Sequence, residues 1–146
     1  MTYTLQQLSD RQDLLELGVQ FAQFADHEIT TAPCAQLFAA DGIFDVNGAE
    51  NVGTEAIETF LDQMRQGGFS GPKTGTRHLI FNAQVSLIDE GSAVGVSEWL
   101  LISPATEDMA GVSIAASGRY LDKYSKTAGS WAIARRTVAF LGLHRI

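Results

Sequence analysis

Asp26 is a carboxylate on a helix face that should be apolar, and it is the first candidate for chemistry in this sequence. Residues 9–27 are predicted to form a long helix, because Ser9 and Gln12 have the spacing of a capping box. At about 100° per residue, Asp26 extends the apolar row formed by Leu15, Val19 and Ala22. An unpaired charge there would cost several kcal/mol, so Asp26 either has a partner or, in the last turn, reaches water.

Neither a metal site nor a cofactor site is predicted. The three histidines, His27, His78 and His144, are too scattered to suggest metal ligation, and His27 falls on the polar arc of the helix. Cys34 is the only cysteine, which excludes an internal disulfide and a cysteine-rich metal site. No glycine-rich loop follows a strand in the pattern that cradles phosphates. We therefore expect no cofactor and no metal.

Composition and charge narrow the class of protein. The chain has 146 residues with 45% hydrophobic and 18% charged residues, which predicts a single globular domain over 1–146. No apolar run approaches the roughly 20 residues of a membrane span, and the N-terminus lacks signal-peptide features, so a cytoplasmic protein is expected. A net charge of −7 argues against nucleic acid or an anionic membrane as partner.

The elements that must position Asp26 are predicted from turn signals and periodicity. A short helix is expected at 33–39, a strand at 43–46, and a further helix from Gly53 and Thr54. The glycine-rich stretch 67–76 is expected to be a loop. From residue 77 the period changes to two, which predicts strands at about 77–88, 93–103, 111–124 and 131–141. Long consecutive strands without crossover helices form an antiparallel meander, so the expected fold class is α+β.

Few of the predicted strands have a plainly solvated face. Strict alternation gives the first long strand one uniformly apolar face, formed by Leu79, Phe81, Ala83, Val85 and Leu87. His78 and Asn82 lie on the opposite face. In later strands Glu98 and Arg136 share faces with apolar residues. This pattern predicts helices on one side of the sheet and a second subunit on the other.

The order of several segments resembles the SnoaL-like branch of the NTF2-like superfamily, which includes dehydratases and a dehydrochlorinase. The matching segments are FAQFADHE, LFAADGIFDV, GTEAI, TRHLIFN, GRYLDKY and WAIARRTV. The resemblance implies an NTF2-like cone, in which N-terminal helices pack on a strongly curved, mainly antiparallel sheet and enclose an apolar pocket. It also implies that Asp26 and His78 form the pair that catalytic members use. The carboxylate would fix the imidazole tautomer and leave the other ring nitrogen as a general base.

Two features complicate the transfer of this mechanism. His78 lies opposite the apolar face of its strand, so either the mixed face lines the pocket or a β-bulge changes the register. The dehydratases have a tyrosine five residues before the aspartate, where this chain has Phe21. A substitute hydroxyl or charge could come from one of five residues, Tyr120, Tyr124, Arg119, Arg136 and Glu98, although tyrosines in strands usually pack and Glu98 could simply pair with Arg136.

Two functions follow from the resemblance. The first is a cofactor-independent lyase or isomerase, in which His78 removes a proton from a small hydrophobic substrate, cyclic or not, and Asp26 orients His78. The second is a non-catalytic module that binds a small ligand or dimerises. Residues expected to line the pocket in either case are Phe21, Asn82, Glu98, Trp99, Tyr120 and Arg136.

Overall fold

The structure is a computed structural model that describes residues 2–108 and 110–143. His144, one of the three scattered histidines, lies outside these residues. The helices are α1 (Leu5–His27), α2 (Ala32–Ala35) and α3 (Thr54–Gln66). The strands are β1 (Phe38–Val46), β2 (Ala49–Val52), β3 (Arg77–Leu87), β4 (Ser92–Ser103), β5 (Ser113–Thr127) and β6 (Ser130–Leu143). Across these described ranges, no helix is both long and apolar enough to cross a membrane.

Helix α1 begins four residues before the predicted start. Thr4 caps it: its hydroxyl accepts the Gln7 N–H at 3.1 Å, and the Gln7 side chain accepts the Thr4 N–H at 2.9 Å. The sequence contains two consecutive capping-box spacings, and the chain uses the earlier one because it satisfies the first N–H groups of a longer helix. The prediction of Ser9 as the cap was wrong. The buried face of α1 ends in Ala25 and Asp26.

The sheet has six strands in the order β2-β1-β6-β5-β4-β3. The four long strands form the predicted antiparallel meander, with each boundary within three residues of the prediction. Strand β1 is longer than predicted and pairs parallel to β6. Strand β2 was not predicted; it pairs with β1 through a tight turn at Asn47 and Gly48, both at positive φ.

A β-bulge in β3 decides which way His78 faces. Phe81 pairs with Glu98 and Gln84 pairs with Val96, so the register shifts between them, and Asn82 has a φ of 50°. On the N-terminal side of the bulge, His78 borders the cavity under the helices, whereas Leu79 and Phe81 are exposed on the outer face. Beyond the bulge, Val85 is buried. The predicted single apolar face is therefore wrong, because the extra residue moves its second half to the other side.

The core lies between α1 and the inner face of the curved sheet. An aromatic cluster stands at its centre, with neighbouring ring centroids 5.3–6.3 Å apart, mostly edge to face. Its members are Phe21, Phe38, Phe44, Trp99, Tyr120 and Phe140. An open space lies between this cluster and α3, and that space is the candidate site.

Candidate functional site

A cavity of about 710 Å³ lies between α1, α3 and the inner face of the sheet. Its walls are mainly aromatic and aliphatic side chains, among them Phe21, Phe44, Phe60, Trp99, Tyr120 and Phe140. Among the described residues that line it, none is Asp, Glu, Lys or Arg. His78 is in the wall. The cavity is therefore a largely apolar chamber with an imidazole at its surface, which is the usual composition of a small-molecule site.

Asp26 binds His78 through both carboxylate oxygens. Oδ2 accepts the backbone N–H of His78 at 2.8 Å, and Oδ1 contacts the ring Nδ1 at 2.6 Å. Asp26 is 3% exposed, whereas 14% of the His78 side chain remains accessible. The first contact fixes the carboxylate against β3, and the second fixes the ring. The charge that was out of place on the helix therefore has its partner.

The hydrogen bond to Asp26 determines which His78 nitrogen can act as a base. A carboxylate only accepts hydrogen bonds when ionised, so the ring nitrogen that it contacts must carry the proton. Nδ1–H is then the donor to Asp26, and Nε2 has the lone pair. Among the described residues, no hydrogen bond involves Nε2. The imidazole can therefore accept a proton at Nε2 on the cavity side while Nδ1 stays anchored.

Arg65, which the sequence did not point to, holds the end of α1 that bears Asp26. Its guanidinium donates to the backbone carbonyls of Phe24 at 3.2 Å, Ala25 at 3.3 Å and Ile29 at 3.0 Å. The carbonyl of Phe24 also accepts the backbone N–H of Glu28 at 3.2 Å, so the guanidinium adds a second donor there. It also places a positive charge at the negative end of the helix dipole. No sequence signal identifies this contact, because Arg65 is 40 residues from Ala25 along the chain.

The glycine-rich stretch between α3 and β3 forms one side of the cavity. Gly67, Gly68, Phe69 and Ser70 line it. Gly71 has a φ of 107° and packs on Arg65, where a Cβ would lie 3.3 Å from the arginine side chain. A side chain at this position would be both strained and crowded. The same arginine therefore supports the end of α1 and the loop that closes the cavity.

Three of the predicted pocket residues do not line the cavity: Asn82, Glu98 and Arg136. Asn82 is exposed in the β-bulge, which turns its side chain away from the inner face. Glu98 points to the outer face, where it accepts hydrogen bonds from Arg119 at 2.9 and 2.7 Å. The predicted pair of Glu98 with Arg136 is wrong, because alternation along β4 and β6 places the two side chains on opposite faces of the sheet.

Arg136 is buried behind the cavity wall instead of lining the cavity. Its Nε and Nη2 donate to the two carboxylate oxygens of Asp122 at 2.9 and 3.0 Å. Burial lowers the pKa of Arg136, but the charge and hydrogen bonds of Asp122 outweigh that effect and raise it above the ordinary value. The guanidinium carbon stands 4.0 Å from the ring centroid of Tyr120 and 4.5 Å from that of Phe21. Arg136 thus holds these two rings from behind.

Phe21, Trp99 and Tyr120 line the cavity. The lining residues of α3, Phe60, Leu61 and Met64, could be predicted only as a core-facing row, since periodicity does not distinguish a packed face from a cavity wall. Among the described residues, no group of three or more His, Cys, Asp or Glu side chains is placed to hold a metal ion.

Comparisons with known proteins identify the architecture. The family model described as SnoaL-like domain matches residues 6–137. LinA has a TM-score of 0.80 at 15% identity, over 97% of this chain and 92% of LinA. An NTF2-like protein with a cystatin-like fold from Novosphingobium aromaticivorans has a TM-score of 0.79 at 21% identity, over 92% of this chain and 83% of its own.

A third structure contains a ligand. A Catenulispora acidiphila protein in complex with S-DNPA has a TM-score of 0.73 at 19% identity, over 88% of this chain and 91% of its own. No curated protein matches the sequence. The sequence identities to these three structures are below 25%, so the similarity establishes only the fold. That fold is an NTF2-like domain with helices packed on a curved, mainly antiparallel sheet.

Proposed function

The chain belongs to the SnoaL-like domain family, and from that membership we propose that it is a cofactor-independent lyase or isomerase. His78 would remove a proton from a small hydrophobic ring compound, and Asp26 would orient His78. The observation that supports this proposal most is the 2.6 Å contact between Asp26 and His78 at the wall of an apolar cavity. General-base catalysis requires a base beside the substrate and a group that orients the base. His78 borders the cavity and Asp26 holds His78 from the other side.

The proposed reaction begins with proton transfer to His78. Nε2 takes a proton from a carbon next to a carbonyl, and the electron pair of the broken C–H bond forms a carbon–carbon double bond as the carbonyl oxygen gains charge. The imidazolium that results is stabilised by the adjacent carboxylate of Asp26. Expulsion of halide from the next carbon, or of hydroxide that takes the imidazolium proton and leaves as water, gives a lyase. Return of the proton to another carbon gives an isomerase. Both outcomes share the first step.

Deuterium uptake tests the shared step without knowledge of the natural substrate. Uncharged ring ketones such as 1-tetralone are incubated with the protein in D₂O, and loss of the α-proton signal is followed by NMR. The proposal expects exchange above the buffer rate that disappears in the His78→Gln variant. If the ketones bind in the cavity and exchange only at the buffer rate, the catalytic proposal is contradicted.

The second candidate function is a ligand-binding module without turnover. Phe21 favours it, because a phenyl ring stands where the dehydratases have a hydroxyl and makes that wall apolar. The S-DNPA complex of the Catenulispora acidiphila protein supports small-molecule binding by this fold in either case. The exchange experiment distinguishes the two functions. In a binding module, the ketone would change the fluorescence of Trp99 when it binds, but the protein would not catalyse deuterium uptake.

We also propose that two copies of the chain associate through the outer face of the sheet. Large apolar side chains are 37–48% exposed there, which is a common feature of protein interfaces. They include Leu79, Phe81, Val94, Ile114 and Leu121. Arg119 and Glu98 form an ion pair within this surface. Their charges are therefore paired within each copy before the two identical surfaces meet.

A further inference from the structure

A second, smaller cavity lies between α1 and the sheet, behind the wall of the large cavity. Its volume is about 200 Å³, and no described residue lines both cavities. Arg136 lines the small cavity, and its guanidinium packs on the rings of Phe21 and Tyr120, which line the large one. These three side chains therefore separate the two spaces, and the small cavity needs an explanation of its own.

Gly18 keeps the small cavity open. It lies in the interior of α1, where glycine is less favourable than alanine because it loses more backbone freedom on folding. At about 100° per residue, position 18 lies between Leu14 and Leu15 on the helix circumference, and all three residues line the cavity. A Cβ at Gly18 would meet no atom within 4 Å. Close packing therefore does not require glycine here, and a larger side chain would begin to fill the cavity.

The mouth of the small cavity lies between α1 and the β-bulge of β3. Val19 on α1 is 48% exposed, and Ala83 and Gln84 in the bulge are exposed as well. All three residues line the cavity. Val19 belongs to the apolar row of α1 that ends at Asp26, yet the sheet leaves it half uncovered. A small molecule can therefore enter here without passing through the large cavity.

Ser97 brings an unpaired hydroxyl to the small cavity. It is 6% exposed and lines this cavity but not the large one. Its hydroxyl makes no hydrogen bond with any described residue. Ser97 Oγ is also absent from the unpaired atoms that are sealed from solvent in the described part of the chain, so it keeps accessible surface. A buried hydroxyl without a partner is unfavourable, and an occupant of the cavity would satisfy it.

The other polar groups in the wall indicate an uncharged ligand. Arg136 and Asp122 pair through two hydrogen bonds, and Tyr124 donates its hydroxyl to the same carboxylate. A charged ligand would therefore lose its hydration without gaining an unpaired counter-charge. The Ser97 hydroxyl can both donate and accept, as can the hydroxyl of an alcohol. The rest of the wall is mainly aliphatic and includes Leu14, Leu15, Val19, Ile80, Val85 and Val96.

The size of the small cavity limits its ligand to a compact molecule. A cavity of about 150 Å³ is enough to hold benzene, so a cavity of about 200 Å³ can accommodate one six-membered ring. We propose that the small cavity is a second ligand site that binds a compact, uncharged aliphatic alcohol. The hydroxyl of the alcohol bonds to Ser97, and its carbon body packs on the aliphatic side chains of α1 and β3. Binding does not involve His78, so this site is independent of the proposed function.

Cyclohexanol is the probe that matches this size and polarity. It is titrated into protein with ¹³C-labelled methyl groups, and nuclear Overhauser effects between its ring protons and those methyl groups locate it. The methyl groups of Ile80 and Val96 report the small cavity, and those of Leu61 and Val138 report the large one. We expect saturable shift changes and Overhauser effects at Ile80 and Val96. Changes confined to Leu61 and Val138 would place the alcohol in the large cavity and overturn the proposal.

Three variants test the wall of the small cavity. Gly18→Leu fills it, and Gly18→Ala is the matched control, because it replaces the same helix glycine but adds only one methyl group. We expect Gly18→Leu to lose at least 10-fold in affinity for cyclohexanol and Gly18→Ala to keep most of it. Ser97→Ala should weaken binding by about 3- to 10-fold, which is the effect of one hydrogen bond.

Three results would overturn the proposal. The first is the absence of any saturable change at Ile80 and Val96, which would show that the small cavity holds water only. The second is an unchanged affinity in Gly18→Leu, with circular dichroism confirming that the variant is folded. The third is an unchanged affinity in Ser97→Ala, which would show that the ligand does not bond to the hydroxyl on which its assignment as an alcohol depends.

Discussion

Asp26 contacts the same residue twice, once at the His78 backbone N–H and once at its ring Nδ1, at 2.8 and 2.6 Å. The two contacts join the last turn of α1 to His78, the second residue of β3. A ring fixed in this way keeps one tautomer and one orientation before any ligand binds. Preorganisation of this kind lowers the reorganisation needed during proton transfer.

Replacement of Asp26 by Asn should change the tautomer of His78. An amide can present its N–H₂ to Nδ1, which would leave Nδ1 as the acceptor and put the proton on Nε2. We expect Asp26→Asn to bind ring ketones normally and to lose about 10²–10⁴-fold in exchange rate. Long-range ¹H–¹⁵N correlation spectra of the His78 ring test the tautomer directly. Glu28→Gln, next to the end of α1 and exposed, is the control.

Arg65 should act as a positioning residue for Asp26. Arg65→Lys keeps the charge near the end of α1 but cannot reach the carbonyls of Phe24, Ala25 and Ile29 together. We expect a loss of about 1–3 kcal/mol in the free energy of unfolding, measured in urea, because these carbonyls lose the hydrogen bonds that the guanidinium donates. The rate of exchange should fall more than the affinity for the ketone. Lys73→Ala, exposed on the neighbouring loop, should change neither quantity.

Equal loss of affinity and rate in Arg65→Lys would contradict a positioning role, because it would show that the cavity itself had been altered. The NMR resonance of the proton in the Asp26–His78 hydrogen bond is an independent measurement. It should broaden or shift in Arg65→Lys and remain in place in Lys73→Ala.

Asp10 should make the stability of the protein depend on pH in the acid range. It is buried, and its Oδ1 accepts hydrogen bonds from Lys126 and Trp131, both at 2.9 Å. These contacts, that with Lys126 first, lower the pKa of Asp10 in the folded state below its ordinary value of 3.8. The stabilisation is therefore complete above that value and is lost as the pH falls through the lower, folded-state pKa.

The Asp10→Asn variant isolates this effect. It should be less stable than the unmodified protein at pH 7 by about 1–2 kcal/mol, and the difference should shrink toward zero near pH 2. Urea unfolding at a series of pH values measures it. A difference that stays constant from pH 7 to pH 2 would show that the carboxylate charge contributes nothing. Asp13→Asn, on the exposed side of the same helix, should show no pH-dependent difference.

The outer face of the sheet should control association. Leu121→Lys places a charge among apolar side chains that are exposed in a single copy, so it should convert a dimer into a monomer without unfolding it. Light scattering coupled to size-exclusion chromatography measures the mass. Ile29→Lys is the control, because Ile29 is 89% exposed and lies away from the sheet. A monomeric mass for the unmodified protein would rule out the proposed dimer.

The long elements could be predicted from the sequence because their signals are local. Alternation and turn residues located the four long strands, and the 3.6-residue period placed Asp26 on the buried arc of α1. The contact between Asp26 and His78 could not be derived in this way, since 52 residues separate them. It was anticipated only through the family resemblance.

Features that depend on register or on distant contacts could not be predicted. The bulge at Asn82 has no glycine to mark it, yet it determines that His78 and Val85 face the same side. The partners of Glu98 and Arg136 depend on which face each strand presents, and a one-residue shift reverses the face. Nothing in the sequence distinguishes Arg65 from other charged residues. Its role depends on a packing arrangement that only the folded chain reveals.

The most direct test of the account compares His78→Gln with His27→Gln in the deuterium-exchange experiment. Both variants replace a histidine by glutamine, but His27 is exposed at the end of α1 and His78 is bonded to Asp26. We expect the His27→Gln variant to exchange ring-ketone protons at the unmodified rate. The His78→Gln variant should exchange them about 10²–10⁴-fold more slowly while still binding the ketone. Equal exchange rates in the two variants would contradict a catalytic role for His78.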